Sequence, residues 1–145
     1  MLARIERDLP TALKAGEKRR VATLRLLLAA LKNERIEARR ELTNEEVEAA
    51  IRRAVKQRRE AIEQYERAGR ADLVAAETEE LGILEAYLPR AMAPEELEAA
   101  IRGIISEKAL SSSRDVGALM KELMGRHRGR ADGKRAQEIA RRLLP

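Results

Sequence analysis

The chain contains no Phe, Trp or Cys, and Tyr65 and Tyr87 are its only aromatic residues. Any core must therefore be built from Ala, Leu, Ile and Val. Carried on segments rich in Ala, Leu, Glu and Arg, such side chains suit packed helices. They suit sheets poorly, because strands favour β-branched and aromatic residues. Apolar residues make up 44% of the 145. That fraction argues against global disorder, and the length permits one ordinary domain or two small ones. Without Cys, disulfides, thiol catalysis and thiolate metal sites are excluded.

Apolar spacing predicts helices along most of the chain. Leu2, Ile5, Leu9 and Leu13 recur at helical intervals. Pro10 requires that this helix either start near Asp8 or kink at the proline. Gly16 breaks the pattern. Residues 18–40 form a strong amphipathic stretch, with Val21, Leu24, Leu28 and Leu31 on one stripe, Leu26 and Leu27 widening it, and Arg and Lys on the other face. Thr43 and Glu46 make a capping box that opens a third helix to about Ala68, with Val47, Ile51, Val55, Ile62 and Tyr65 inward and Gly69 ending it. A fourth helix spans 71–88, with Leu73, Leu81, Leu84 and Leu88 on its apolar side. Pro89 closes it, since the residue before a proline resists the helical region.

Pro89 and Pro94 mark a boundary. The expected architecture is all-α, with a four-helix N-terminal domain over 1–90 and a small three-helix C-terminal domain over 91–145. Pro94 suits a first helical position, and Glu95 and Glu96 complement the helix dipole. Leu97, Ile101, Ile104 and Ile105 give that helix its apolar face. Ser112 with Asp115 is a second capping-box pattern, opening a helix with Val116, Leu119, Met120 and Leu123. A turn is expected from Gly125 to Gly133. Asp132 is the N-cap of a last helix holding Ala136, Ile139 and Leu143. No internal repeat and no sustained heptad pattern runs along the chain.

Charge is arranged in blocks. Residues 1–59 hold 16 Lys/Arg and 9 Asp/Glu, residues 60–107 hold 4 and 12, and residues 108–145 hold 10 and 4. The chain therefore reads basic, acidic, basic. The first residues, Met1 to Glu6, lack the pattern of a signal peptide, and the longest apolar run, Leu26 to Leu31, is far too short for a bilayer span. The expectations are a cytoplasmic protein, no membrane, and a monomer.

Enzymatic chemistry finds little footing. His127 is the sole histidine and lies between Arg126 and Arg128, with no carboxylate partner nearby in sequence. No HExxH, P-loop, GxGxxG or GxSxG motif occurs. Ser111 to Ser113 read as capping residues rather than nucleophiles. Glu77, Glu79 and Glu80 suit a solvated acidic face better than a divalent-cation site. No catalytic residue, metal ligand or cofactor is expected.

The segment GRHRGRADGKR, Gly125 to Arg135, is the best functional candidate. Its glycines let a ligand approach the backbone, and the helix that follows offers amides and a positive dipole end to a phosphate. Arg126, Arg128, Arg130, Lys134 and Arg135 add charge, and Gly129 and Gly133 complete the candidate RNA-binding set. The competing reading is an ordinary helix connection with a solvated basic turn. A second basic run, Lys18 to Arg40 with Lys56 to Arg59, is interleaved with Glu34, Glu37 and Glu60, which favours local pairing. With no aromatic stacking platform, bound RNA would be read by backbone shape and charge.

Two stretches resemble the GatB/YqeY family, and YqeY-like proteins in particular. KQRREAIEQYERAGRADLVAAETEELGILEAYLP, from Lys56 to Pro89, is similar to the family's Lys-Gln-Arg, Ala-Gly-Arg-x-Asp-Leu and terminal Tyr-Leu-Pro. DVGALMKELMGRHRGRADGKRAQEIARRLL, from Asp115 to Leu144, resembles the Gly-x-x-Met and Gly-x-Ala-Asp-Gly tail shared with the GatB component of the tRNA-dependent amidotransferase. The resemblance implies an all-helical two-part protein whose tail helps hold tRNA, and similar modules occur fused to some tRNA-charging enzymes. A tRNA-binding accessory module is the function it implies. The alternative is a docking subunit whose acidic helices meet an amidotransferase or synthetase partner. The catalytic portion of the GatB component has no counterpart in this chain, so a carbon–nitrogen ligase activity with glutamine as amido-N-donor follows from kinship alone. The turn departs from the family in being Arg-rich where Lys is frequent, which keeps charge but alters contact geometry.

Overall fold

A computed structural model describes all residues, 1–145. The chain is all-α, as expected, with seven helices, one short 3₁₀ turn and no strand. None of the helices is long and apolar enough to cross a membrane. The chain divides into two compact units, Met1–Leu88 and Pro89–Pro145.

In the first unit, α1 (Leu2–Ala15) is followed by α2 (Lys18–Ala38), α3 (Asn44–Arg67) and α4 (Ala71–Glu85). Ile5, Leu24, Leu31, Val47, Ile51, Leu84 and Tyr87 lie in its buried core. Helix α1 begins at Leu2 and contains Pro10, so of the two alternatives read from the sequence the start near Asp8 is set aside. The buried Ile5 explains why: its place in the core holds the first turns helical despite the amide missing at the proline. Gly16, at φ 71°, ends α1 with its amide bonded to Leu13. The Thr43–Glu46 capping box forms as read: the Glu46 amide donates to the Thr43 hydroxyl at 3.2 Å. Val47, Ile51 and Val55 are buried, whereas Ile62 and Tyr65 are only half-buried.

Two expectations fail in instructive ways. Leu26 does not widen the inward stripe of α2; it is 61% exposed, while Leu27 enters the core. One residue turns a helix by about 100°, so neighbours in a Leu-Leu-Leu run cannot all face one way. Helix α4 ends at Glu85 rather than 88, and residues 86–88 form a turn that buries Tyr87 against α1. The acidic face of α4 is tied down: Arg58 of α3 sits between Glu77 at 3.2 Å and Glu80 at 2.8 Å, and Arg19 lies 3.4 Å from Glu79.

The second unit contains α5 (Pro94–Lys108), the 3₁₀ turn Ser113–Asp115, α6 (Val116–Arg126) and α7 (Gly133–Leu143). Leu97, Ile101, Ile104, Leu119, Leu123, Ala136, Ala140 and Leu144 build its core. Pro94 opens α5 at a first helical position, with Glu95 and Glu96 in its first turn. Ser112 and Asp115 cap the next segment: the Asp115 carboxylate accepts the amides of Ser111 at 2.9 Å and Ser112 at 3.2 Å. Those bonds hold its carboxyl below the usual range. Ala136 and Ala140, four residues apart and fully buried, give α7 a smooth inner face that lets it pack closely on its neighbours.

Candidate nucleic-acid interface

The basic segment begins on the last turn of α6, crosses a loop and enters α7. Gly125 and Arg126 are helical, so the turn expected from Gly125 starts only at His127. The loop closes on the His127 carbonyl, which accepts the amides of Arg130 at 3.0 Å and Ala131 at 3.1 Å. Gly129 makes this loop possible: its φ of 78° lies in the left-handed region that glycine enters without penalty. Gly125 and Gly133 have no such duty, and open space surrounds the position of an added Cβ at each.

The cations of this segment divide into two kinds. Arg126 is gripped from two helices: its guanidinium meets Glu122 at 2.8 Å and Glu107 at 2.9 Å. Glu107 is held below the usual carboxylate range, chiefly by its hydrogen bond from Arg126. Arg130 works as a clamp. Its Nε donates to the Arg90 carbonyl at 2.9 Å, its terminal nitrogen reaches Glu96 at 3.0 Å, and its own carbonyl accepts the Met92 amide at 2.9 Å. Arg126 and Arg130 thus fasten the segment to α5 and to the chain leading into it. These ion pairs are largely exposed and screened by solvent, so each contributes little to stability and can exchange with another anion.

Lys134 and Arg135 form the second kind. Both are exposed on the first turn of α7, and neither side chain has a carboxylate partner. Arg141 shares this condition, and it lies seven residues after Lys134, two turns along the same stripe. The candidate set read from the sequence omitted Arg141; its spacing from Lys134 was the available signal. Arg142, on the next stripe, is paired with Glu98 at 2.7 Å. Arg128 is exposed and belongs to the loop between the two groups.

The helix end is arranged differently from the expectation. Asp132 caps α7, and its Oδ1 accepts the amides of Lys134 at 3.0 Å and Arg135 at 3.3 Å. These are the donors a phosphate would seek at a helix N-terminus. The protein's own carboxylate already occupies them, so phosphate recognition here falls to side chains. His127 caps the C-terminal end of α6 through its backbone and is half-buried.

Comparison with known proteins places the chain among relatives. Residues 2–144 match the model of the Yqey-like protein family. The chain is also similar to two curated proteins that carry the same name, altered inheritance of mitochondria protein 41, mitochondrial. The protein of Eremothecium gossypii is 36% identical over 88 residues, covering 60% of this chain and 48% of the relative. That of Lachancea thermotolerans is 28% identical over 109 residues, covering 73% of this chain and 58% of the relative. The chain spans about half the length of the curated relatives it matches.

Proposed function

The chain belongs to the Yqey-like protein family, and on that premise we propose that it is a tRNA-binding accessory module that contacts RNA through its C-terminal unit. The observation that carries this reading is the row of exposed, unpaired cations Lys134, Arg135 and Arg141 on α7. Arg128, Gly129 and Gly133 border it, and Arg126 and Arg130 stand close in sequence with exchangeable partners. Cations held on a helix at fixed spacing suit phosphate backbone, where charge and shape rather than base edges decide binding. A carbon–nitrogen ligase activity would rest on kinship alone and forms no part of the proposal. A docking role for the acidic helices is less favoured, because Glu77 and Glu80 are half-buried and already paired within the fold by Arg58. The compartment we infer is one that holds tRNA, the cytoplasm by default.

The test is a titration of the full chain into labelled tRNA, and into DNA of equal length, at several salt concentrations. Tighter binding to tRNA, with a log–log salt slope of about −2 to −4, is the expected result for a handful of phosphate contacts. Lys134→Glu with Arg135→Glu should weaken binding at least ten-fold and flatten the slope. Unchanged affinity in that double variant would remove the basic segment from consideration.

A further inference from the structure

We propose that α2 carries a self-association surface along which two copies of this chain pair in parallel, burying Ala22, Leu26, Ala29, Asn33 and Ile36. Leu26 and Ile36 are 61% and 60% exposed, and Ala22, Ala29 and Asn33 between and before them are exposed as well. The intervals along this row are four, three, four and three residues. That is the heptad alternation that keeps one seam facing a partner helix, with Leu26 and Asn33 at the a positions and Ala22, Ala29 and Ile36 at d. The seam lies opposite the face that Val21, Leu24 and Leu31 bury within the fold, so α2 is apolar on two sides.

Three features specify the occupant as a second copy in parallel. Lys32 precedes Asn33 at g and Glu37 follows Ile36 at e. Neither has an ion pair within the chain, although Glu34 and Arg35 beside them do. In a parallel pair each g residue meets the e residue five positions later on the other helix, so Lys32 meets Glu37 of the second copy, twice by symmetry. Antiparallel pairing would instead bring the Arg25 and Lys32 flank against itself, like charge on like charge. Asn33 at an a position is the third feature: its amide can bond its symmetry mate, a device that fixes register and two-stranded association. A recess of about 330 Å³, lined by Leu26, Ala30, Ala50 and Ala54 together with Glu34, Arg53 and Arg58, borders the seam on the e flank. This inference is independent of the RNA reading.

The absence of native cysteine makes the test direct. Sedimentation of the full chain from micromolar to millimolar concentration should show a monomer–dimer equilibrium. Ala22→Cys should give a disulfide-linked dimer on mild oxidation, since d residues face their mates in a parallel pair. An antiparallel pair would hold the two cysteines about 20 Å apart, far beyond bonding reach. Leu26→Glu with Ile36→Glu, both at exposed sites, should abolish the dimer with helical circular dichroism unchanged. Lys32→Glu should weaken it about five-fold or more, and Lys32→Glu with Glu37→Lys should restore it. A monomer at every concentration, or a dimer that survives the Leu26/Ile36 variant, overturns the proposal. A dimer without the Ala22→Cys crosslink overturns its parallel geometry.

Discussion

The Tyr87 hydroxyl donates a hydrogen bond to the Asp8 carboxylate at 2.5 Å, joining residues 79 positions apart in sequence. The same carboxylate oxygen lies 3.7 Å from Arg20, and the Arg4 guanidinium stands 4.9 Å from the centre of the Tyr87 ring. The turn after α4 is thereby fastened to α1, and the N-terminal unit is closed where its chain leaves it. Tyr87→Phe keeps the ring and its packing but removes the bond to a charged acceptor. We expect it to lower the stability of this unit by about 1–2 kcal/mol, measured as a shift of its denaturation midpoint at constant m.

The same tyrosine gives an alkaline signature. Burial, and after it the bond to Asp8, pushes its hydroxyl up from the ordinary value of 10.0. The folded chain therefore retains this proton to higher pH than the unfolded chain. Its contribution is complete below about pH 10 and is lost as pH rises through the folded value. Above about pH 10 the melting temperature of the N-terminal unit should fall more steeply in the parent protein than in Tyr87→Phe. Parallel curves would show that Tyr87 does not carry the dependence.

Asp132 offers a way to separate stability from binding. Asp132→Ala removes the side-chain cap of α7 and should cost the C-terminal unit about 1 kcal/mol. It also frees the amides of Lys134 and Arg135 and deletes a negative charge from the basic segment. If RNA phosphates approach this helix end, the variant binds tRNA more tightly although it melts earlier. Weaker binding, in step with lost stability, would place the phosphate contacts elsewhere.

Arg58 bridges two half-buried carboxylates, Glu77 and Glu80, so its removal strands both. Arg58→Met should destabilise the α3–α4 pair by about 1–3 kcal/mol. Adding Glu77→Gln and Glu80→Gln should recover much of that loss. A loss that persists in the triple variant would assign the effect to the packing of the Arg58 stem instead.

Ala109 ends α5 in the left-handed region, at φ 51° and ψ 45°, where glycine is the usual occupant. Ala109→Gly relieves the Cβ contact there and should stabilise the C-terminal unit by about 0.5–1 kcal/mol. A lower midpoint in chemical denaturation would show that chain entropy outweighs the strain.

Helix boundaries set by backbone chemistry were legible from the sequence. Thr43 and Glu46, Pro94, Asp132 and Gly16 act within a few residues of themselves, and each sits where local reasoning places it. Facing was harder. Leu24, Leu26 and Leu27 are chemically alike, and only the neighbours met in the fold decide that Leu26 points outward. Tyr87 was invisible as a core residue because its partner Asp8 lies at the other end of the unit. In the basic segment, sequence located the cations but could not show that Arg126 and Arg130 are engaged by acids far along the chain, whereas Lys134 and Arg135 are not. Pairing across 19 or 34 residues leaves no periodic trace.

The two hydrophobic clusters share no residue: one ends at Tyr87 and Leu88, and the other begins at Met92 and Leu97. Cooperativity follows a shared core, so a calorimetric scan is expected to resolve one transition for each unit. Ligand binding stabilises only the unit that it contacts. A calorimetric scan with and without tRNA therefore works as a map: the transition that moves identifies the half of the chain that holds the RNA.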